Sequence, residues 1–96
     1  MASSNDYFIY ILDLLKDIHV ITYKKMMGEY LLYKDNILFG GIYDDRFLVK
    51  KTKSLESLGL KEAIPYPGAK PMLIVDTEDS EEIERIVNLA ISDIHK

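Results

Sequence analysis

The chain has 96 residues, of which 48% are apolar and 29% are charged, and its formal net charge is −4. This length suits one domain with a hydrophobic core, so residues 1–96 are interpreted as a single domain. The chain contains no cysteine, which excludes disulfide bonds, thiolate nucleophiles and cysteine-ligated zinc.

The segment at residues 1–6 has no basic residue and no apolar run, so we expect no signal peptide. No stretch of the sequence is apolar enough to predict a membrane span. We therefore expect a cytoplasmic protein without a membrane partner.

The charges are unevenly distributed along the chain. Residues 24–70 contain nine basic and six acidic residues, whereas residues 71–96 contain two basic and seven acidic residues. This distribution predicts a basic central region flanked by acidic segments. A nucleic-acid-binding domain usually has a net positive charge, so nucleic acid is a possible partner that the net charge does not support.

The first predicted element is an amphipathic helix from about residue 5 to residue 17. Its apolar residues recur at helical spacing: Phe8, Ile11, Leu12, Leu15 and Ile18. Tyr7 and Ile9 widen this apolar stripe, which indicates that the helix contacts more than one surface.

Residues 19–50 are predicted to form four antiparallel strands, at residues 19–26, 29–33, 37–43 and 46–50. Gly28 can supply a bulge or a sharp bend, and polar residues at 34–36 and 44–46 predict tight turns. Glycine weakens a strand, so the pair Gly40 and Gly41 needs a reason. We expect a bulge, strong sheet curvature or a side chain from the first helix.

Three further elements are predicted after this sheet. Residues 52–60 indicate a short helix, capped by Thr52 or Ser54 and ended by Gly59. Residues 61–70 are expected to be a loop because of their prolines, and residues 72–75 a buried strand. A last helix begins after Asp79, which can cap it with Glu82 as the reciprocal partner.

The predicted order is therefore α-β-β-β-β-α-β-α. It indicates a two-layer α+β domain with an antiparallel sheet of about five strands, covered on one face by the N- and C-terminal helices. A ferredoxin-like split βαβ fold is the alternative. It fits less well because the first hairpins come in one run.

The sequence shows no set of residues typical of catalysis, so we expect neither an enzyme nor a cofactor or metal. His19 and His95 are isolated in sequence, and Asp44 with Asp45 is typical of a turn. The acidic run at residues 76–82 lacks the spacing of a calcium loop and suits a helix N-terminus.

Basic and aromatic residues alternate along the predicted strands, as they do in sheets that stack nucleic-acid bases. The candidate contacts to nucleic acid are Lys24, Lys25, Lys34, Arg46, Lys50 and Lys51. A half-buried sheet whose lysines keep its edges from pairing explains the same pattern, and we favour that explanation.

The central stretch, KMMGEYLLY followed by Phe39, Asp45 and Lys50, resembles the N-terminal domain of the TfoX/Sxy family, which typically reads RxMFGGYGLYxxGxxFAxIxxDxLYLK. The residues that fit are Met26, Gly28, Tyr30, Leu32, Tyr33, Phe39, Asp45 and Lys50. Lys25, Met27 and Glu29 stand where Arg, Phe and Gly are usual. A later proline loop with an aromatic residue, at residues 65–67, and the order of elements extend the resemblance over essentially the whole chain.

The resemblance implies an α+β domain similar to secretion-chaperone-like folds, which often dimerise. The family is linked to positive regulation of the genes of bacterial natural competence. The resemblance therefore implies a regulatory module for competence or transcription that forms a homodimer and contacts an unknown protein partner. It implies no catalytic residues.

Overall fold

The computed structural model describes residues 5–18 and 21–94. Within them the helices are α1 (Asn5–Leu14), α2 (Lys53–Glu56) and α3 (Ser80–Ile94). The strands are β1 (Ile21–Met26), β2 (Glu29–Lys34), β3 (Ile37–Ile42), β4 (Phe47–Lys50), β5 (Glu62–Ala63) and β6 (Met72–Ile74).

The described strands form one sheet in the order β1-β2-β3-β4-β6-β5, and every neighbouring pair is antiparallel. The α+β prediction is confirmed, but the sheet has six strands and not five. The additional strand, β5, lies in the segment predicted to be a loop. Two residues show no periodicity that would reveal a strand, and only pairing with β6 makes them one.

Both end helices pack against one face of the sheet, as the sequence predicts. Phe8 of α1 stacks on Tyr30 of β2, with ring centroids 3.8 Å apart. The core residues of the strands and of α3 are Tyr30, Leu32, Phe39, Ile42, Phe47, Val49, Leu73, Ile83, Ile86, Val87 and Ala90. Burial of these apolar side chains is the main force that holds the helices on the sheet.

Helix α1 ends at Leu14, three residues earlier than predicted. The backbone N–H groups of Lys16 and Ile18 donate to the carbonyls of Asp13 and Leu15, so the chain tightens into turns that span three residues. Leu15 and Ile18 are nonetheless buried, as the apolar spacing predicts. Of the first predicted strand, residues 19 and 20 lie outside the described residues, and so does His95.

The turns between strands occur where the sequence predicts them. Asp35 and Asn36, and likewise Asp44 and Asp45, adopt positive φ angles, which these residue types tolerate. Gly28, at φ 83°, forms the tip of the β1–β2 hairpin together with Met27. The sharp bend predicted at Gly28 is therefore a hairpin turn.

The glycine pair in β3 is explained by close neighbours on the sheet. A bulge shifts the register of β2 between Leu32 and Tyr33, opposite the pair. A Cβ atom at Gly40 would collide with the Leu48 carbonyl oxygen, and one at Gly41 would lie 2.9 Å from the Tyr43 ring. The bulge, one of the three expected explanations, is therefore present. The nearest neighbours of the pair are the backbones of β4 and β2 and the ring of Tyr43, and none of them is a side chain from the first helix.

The two later helices begin with different caps. Asp79 Oδ1 accepts the N–H of Glu81 at 3.0 Å, so the predicted cap of α3 is confirmed. The Asp79 N–H donates to Thr77 Oγ1 and not to the side chain of Glu82, which was the expected reciprocal partner. Thr52 precedes α2, but its side chain forms no capping hydrogen bond. The carboxylate of Asp93 on α3 instead accepts the Ser54 N–H at 2.8 Å.

Candidate interaction surface

The face of the sheet opposite α1 and α3 is covered by no described helix. Residues paired on neighbouring antiparallel strands share a face, and Tyr30 and Leu32 face the helices. The residues that alternate with them therefore face the other way. We call this side the open face, and it includes Lys24, Leu31, Tyr33, Leu38, Gly41, Leu48, Lys50 and Met72.

Arg46 connects the loop after β5 to the C-terminal end of β3. Its Nη2 atom donates to the carbonyl oxygen of Ile64 at 3.1 Å and to that of Pro65 at 3.5 Å. Its Nε atom donates to the Tyr43 carbonyl at 3.2 Å. The guanidinium is planar and presents several donors, so one side chain can hold both segments.

Tyr43 and Tyr66 form an aromatic pair, with ring centroids 6.3 Å apart and an interplanar angle of 53°. The Tyr43 ring lies over Gly41, and a side chain at residue 41 would occupy the space of this ring. Burial raises the pKa of Tyr43 above its ordinary value of 10.0, and the neighbouring Tyr66 and Glu29 act in the same direction. Tyr43 is therefore a neutral hydrogen-bonding group at physiological pH. The pair lines two grooves.

The first groove, which we call the apolar groove, has a volume of about 870 Å³. Its lining residues are Met26, Met27, Glu29, Leu31, Tyr43, Asp44, Arg46, Ile64, Pro65, Tyr66 and Pro67. Several of its apolar side chains are exposed: Met27 by 95%, Tyr66 by 56%, and Met26 and Ile64 by 46% each. Glu29 Oε2 accepts the Asp44 N–H at 2.7 Å and joins the two strand ends that form one wall.

The second groove, which we call the lysine groove, has a volume of about 620 Å³. Three lysines line it together with the aromatic pair, and none of its lining residues is acidic: Leu38, Gly40, Tyr43, Lys50, Lys51, Pro65, Tyr66, Ala69, Lys70, Pro71 and Met72. Lys51 Nζ lies 3.0 Å from Glu62 Oε2, and this hydrogen bond raises the pKa of Lys51 above its ordinary value of 10.5.

The structure does not bring the six candidate nucleic-acid contacts together. Lys24 and Lys50 lie on the open face, whereas Lys25 lies over the Tyr30 ring on the helix side, 5.9 Å from its centroid. Lys34 Nζ donates to Asn88 Oδ1 of α3 at 2.8 Å. Arg46 and Lys51 make the contacts given above. Most of these cations are therefore held by other parts of the chain.

The residues that carry the family resemblance separate into two groups. Tyr30, Leu32 and Phe39 are buried in the core. The others lie at turns or on the open face: Met26, Gly28, Tyr33, Asp45 and Lys50. Sequence reasoning assigned Met27, Ile64 and Tyr66 no role in a site. The sequence feature that indicates this surface is Tyr66 between Pro65 and Pro67, because the prolines predict a loop and the loop carries an aromatic side chain.

The described residues contain no group of three or more His, Asp or Glu side chains that could hold a metal ion. Asp44 and Asp45 form a turn, and the acidic residues before α3 surround its N-terminus. None of the helices in residues 5–18 and 21–94 is long and apolar enough to cross a membrane.

The sequence matches no family model, and no curated protein matches it either.

Proposed function

We propose that this protein is a TfoX-like regulatory module of competence or transcription that acts through contacts with another protein in the cytoplasm. The apolar groove is the observation that supports this most. Its exposed Met27, Ile64 and Tyr66 form a surface of the kind that proteins use to bind one another. Its walls come from residues 26–31, 43–46 and 64–67, which include stretches that resemble the family. The regulated process is taken from that resemblance.

Site-specific crosslinking in the native cell tests this function. A photoreactive amino acid at Tyr66 should crosslink a protein, whereas the same group at Lys53, which is exposed on α2, should not. Transcript levels should change when the gene is deleted, with genes for DNA uptake among those affected. Failure to crosslink any protein, together with unchanged transcripts, would contradict the proposal.

We also propose that the module forms a homodimer. The support is a set of exposed large side chains outside the groove: Ile9 and Tyr10 on α1 and Tyr23 on β1 are exposed by 55%, 41% and 52%. Strand β1 is at the edge of the sheet, where backbone groups can pair with a second strand. Light scattering at micromolar concentration should detect a dimer that Tyr23→Ser weakens. A monomer at every concentration would exclude it.

Nucleic-acid binding is the second candidate function, and the lysine groove is the observation that favours it. Lysines beside a half-buried Tyr43 and an exposed Tyr66 suit the phosphates and bases of a single strand. Fluorescence anisotropy at low salt should show binding of single-stranded DNA or RNA that Lys50→Glu and Lys70→Glu weaken and added salt abolishes. Lys53→Glu is the matched control. The absence of binding at low salt would exclude nucleic-acid binding as the function.

A further inference from the structure

We propose that the apolar groove binds a short segment of a partner protein in which apolar side chains adjoin a lysine or arginine, and that Met27 is its main anchor. This inference rests on the proposed function and specifies the site and the chemistry of the partner. Three observations support it: the backbone of Met27, its exposure, and the charge at the groove.

The backbone at Met27 is unusual for its residue type. Five described residues other than glycine have positive φ angles, and four of them are Asp or Asn. Their short polar side chains can bond locally and tolerate this conformation. Met27, with a φ of 53°, has no such group. An Asn before the glycine is the favoured choice for a hairpin of this kind, so folding of the turn does not explain the methionine.

The exposure of Met27 excludes a role in the core. Its side chain is 95% exposed, more than that of any other large hydrophobic residue described as exposed. Methionine is unbranched and polarisable, and it is common on surfaces that adapt to apolar ligands. A contact outside the chain explains both the unfavourable backbone and the exposed apolar side chain. Met26, Ile64 and Tyr66 extend the same apolar surface around the groove.

The charges at the groove indicate which charged residue of the partner lies next to its apolar side chains. Arg46 is the basic residue that lines the groove. Its N–H groups donate to the carbonyl oxygens of Tyr43, Ile64 and Pro65. Asp44 is exposed, and among residues 5–18 and 21–94 no hydrogen bond or ion pair to its carboxylate is found. This carboxylate is available to a cation, so a lysine or arginine complements the groove better than an acidic residue.

The test is a selection of random dodecapeptides displayed on phage, with the full chain as the target. Selected peptides are then synthesised, and their binding is measured by fluorescence polarisation. We expect a shared pattern of two or three apolar residues next to a lysine or arginine. Met27→Asn should weaken binding about tenfold or more, as expected for an anchor residue. Asp44→Asn should weaken binding less and reduce its dependence on salt.

Loss of folding does not complicate this test, because asparagine suits the backbone at residue 27 better than methionine. The melting temperature of Met27→Asn should equal or exceed that of the unchanged protein. Lys53→Ala is the control: it truncates an exposed side chain of α2, which packs on α3 away from the groove, and should leave binding unchanged.

Several results would overturn the inference. These are a selection without a shared pattern, equal binding by Met27→Asn, or selected peptides that lack basic residues. A dimer in light scattering that Met27→Asn converts to monomer would assign the groove to a second copy of the chain. If crosslinking in cells still captures a protein while Met27→Asn has no effect on it, the proposed function survives and this inference fails.

Discussion

The Nη2 atom of Arg46 lies 3.1 Å from the carbonyl oxygen of Ile64, eighteen residues along the chain. This hydrogen bond joins the turn between β3 and β4 to the loop after β5. Both segments line the apolar groove. Arg46 therefore helps to hold the lining of the groove together, and its contribution can be tested directly.

Replacing Arg46 with alanine should lower the free energy of unfolding by about 1–2 kcal/mol, because several charge-assisted hydrogen bonds are lost from a partly exposed group. Arg46→Lys should recover only part of this loss, since a single ammonium group cannot reproduce the forked geometry. Urea unfolding measures both effects, and hydrogen exchange should report faster opening of residues 64–67. Lys53→Ala is the control on the surface. Identical midpoints for Arg46→Ala and the unchanged protein would contradict this account.

Gly40→Ala should destabilise the protein by about 2–3 kcal/mol, at the upper part of the range for overpacking. The added Cβ would meet the backbone of β4, including the Val49 Cα atom at 2.8 Å, and backbone cannot move aside as a flexible side chain can. Gly59→Ala is not a matched control, because Gly59 has a positive φ of 72°. Lys53→Ala, at an exposed site on α2, serves instead. Thermal unfolding of the two variants decides, and a Gly40→Ala variant as stable as Lys53→Ala would refute the packing explanation.

Asp93→Ala should lower the free energy of unfolding by about 0.5–2 kcal/mol, the range found for loss of a helix cap. Asp93 Oδ2 accepts the Ser54 N–H, and Oδ1 accepts the Ser54 hydroxyl at 2.9 Å. Thr52→Val is the informative control, because the buried Thr52 Oγ1 has no hydrogen-bond partner among the described residues. Its removal should leave stability unchanged or higher. A larger loss for Thr52→Val than for Asp93→Ala in urea unfolding would reverse the assignment of the cap.

The stability of the protein should fall at high pH in part because of Tyr43. Burial raises the pKa of Tyr43 in the folded state above its ordinary value of 10.0. Above that value the unfolded chain loses the tyrosine proton first, so folding opposes ionisation. The contribution of this group is fully present below pH 10.0 and is lost as pH rises through the folded-state pKa.

Tyr43→Phe should therefore lose less stability than the unchanged protein when urea unfolding is repeated at increasing alkaline pH. Part of the fall should remain, because burial also raises the pKa of Tyr7. Parallel curves for Tyr43→Phe and the unchanged protein would show that Tyr43 does not contribute.

Much of the fold could be predicted because it follows from local patterns. The spacing of Phe8, Ile11 and Leu15 on α1 marks the face that is buried. Asp and Asn at the tight turns mark where the chain reverses, since these residues accept positive φ angles. Helices at both ends and hairpins between them allow few arrangements other than two layers.

The sequence by itself thus determined the α+β class, the helix-covered face and the turns, because each depends on residues close together in the chain. Only the tertiary structure decided the two grooves and the pairing of Asp93 with Ser54. It also decided which lysines are engaged, as with Lys34 on Asn88. These features join segments far apart in sequence, and their geometry depends on packing that no local pattern encodes. The combination of a positive φ angle and an exposed side chain at Met27 is likewise a property of the folded chain alone.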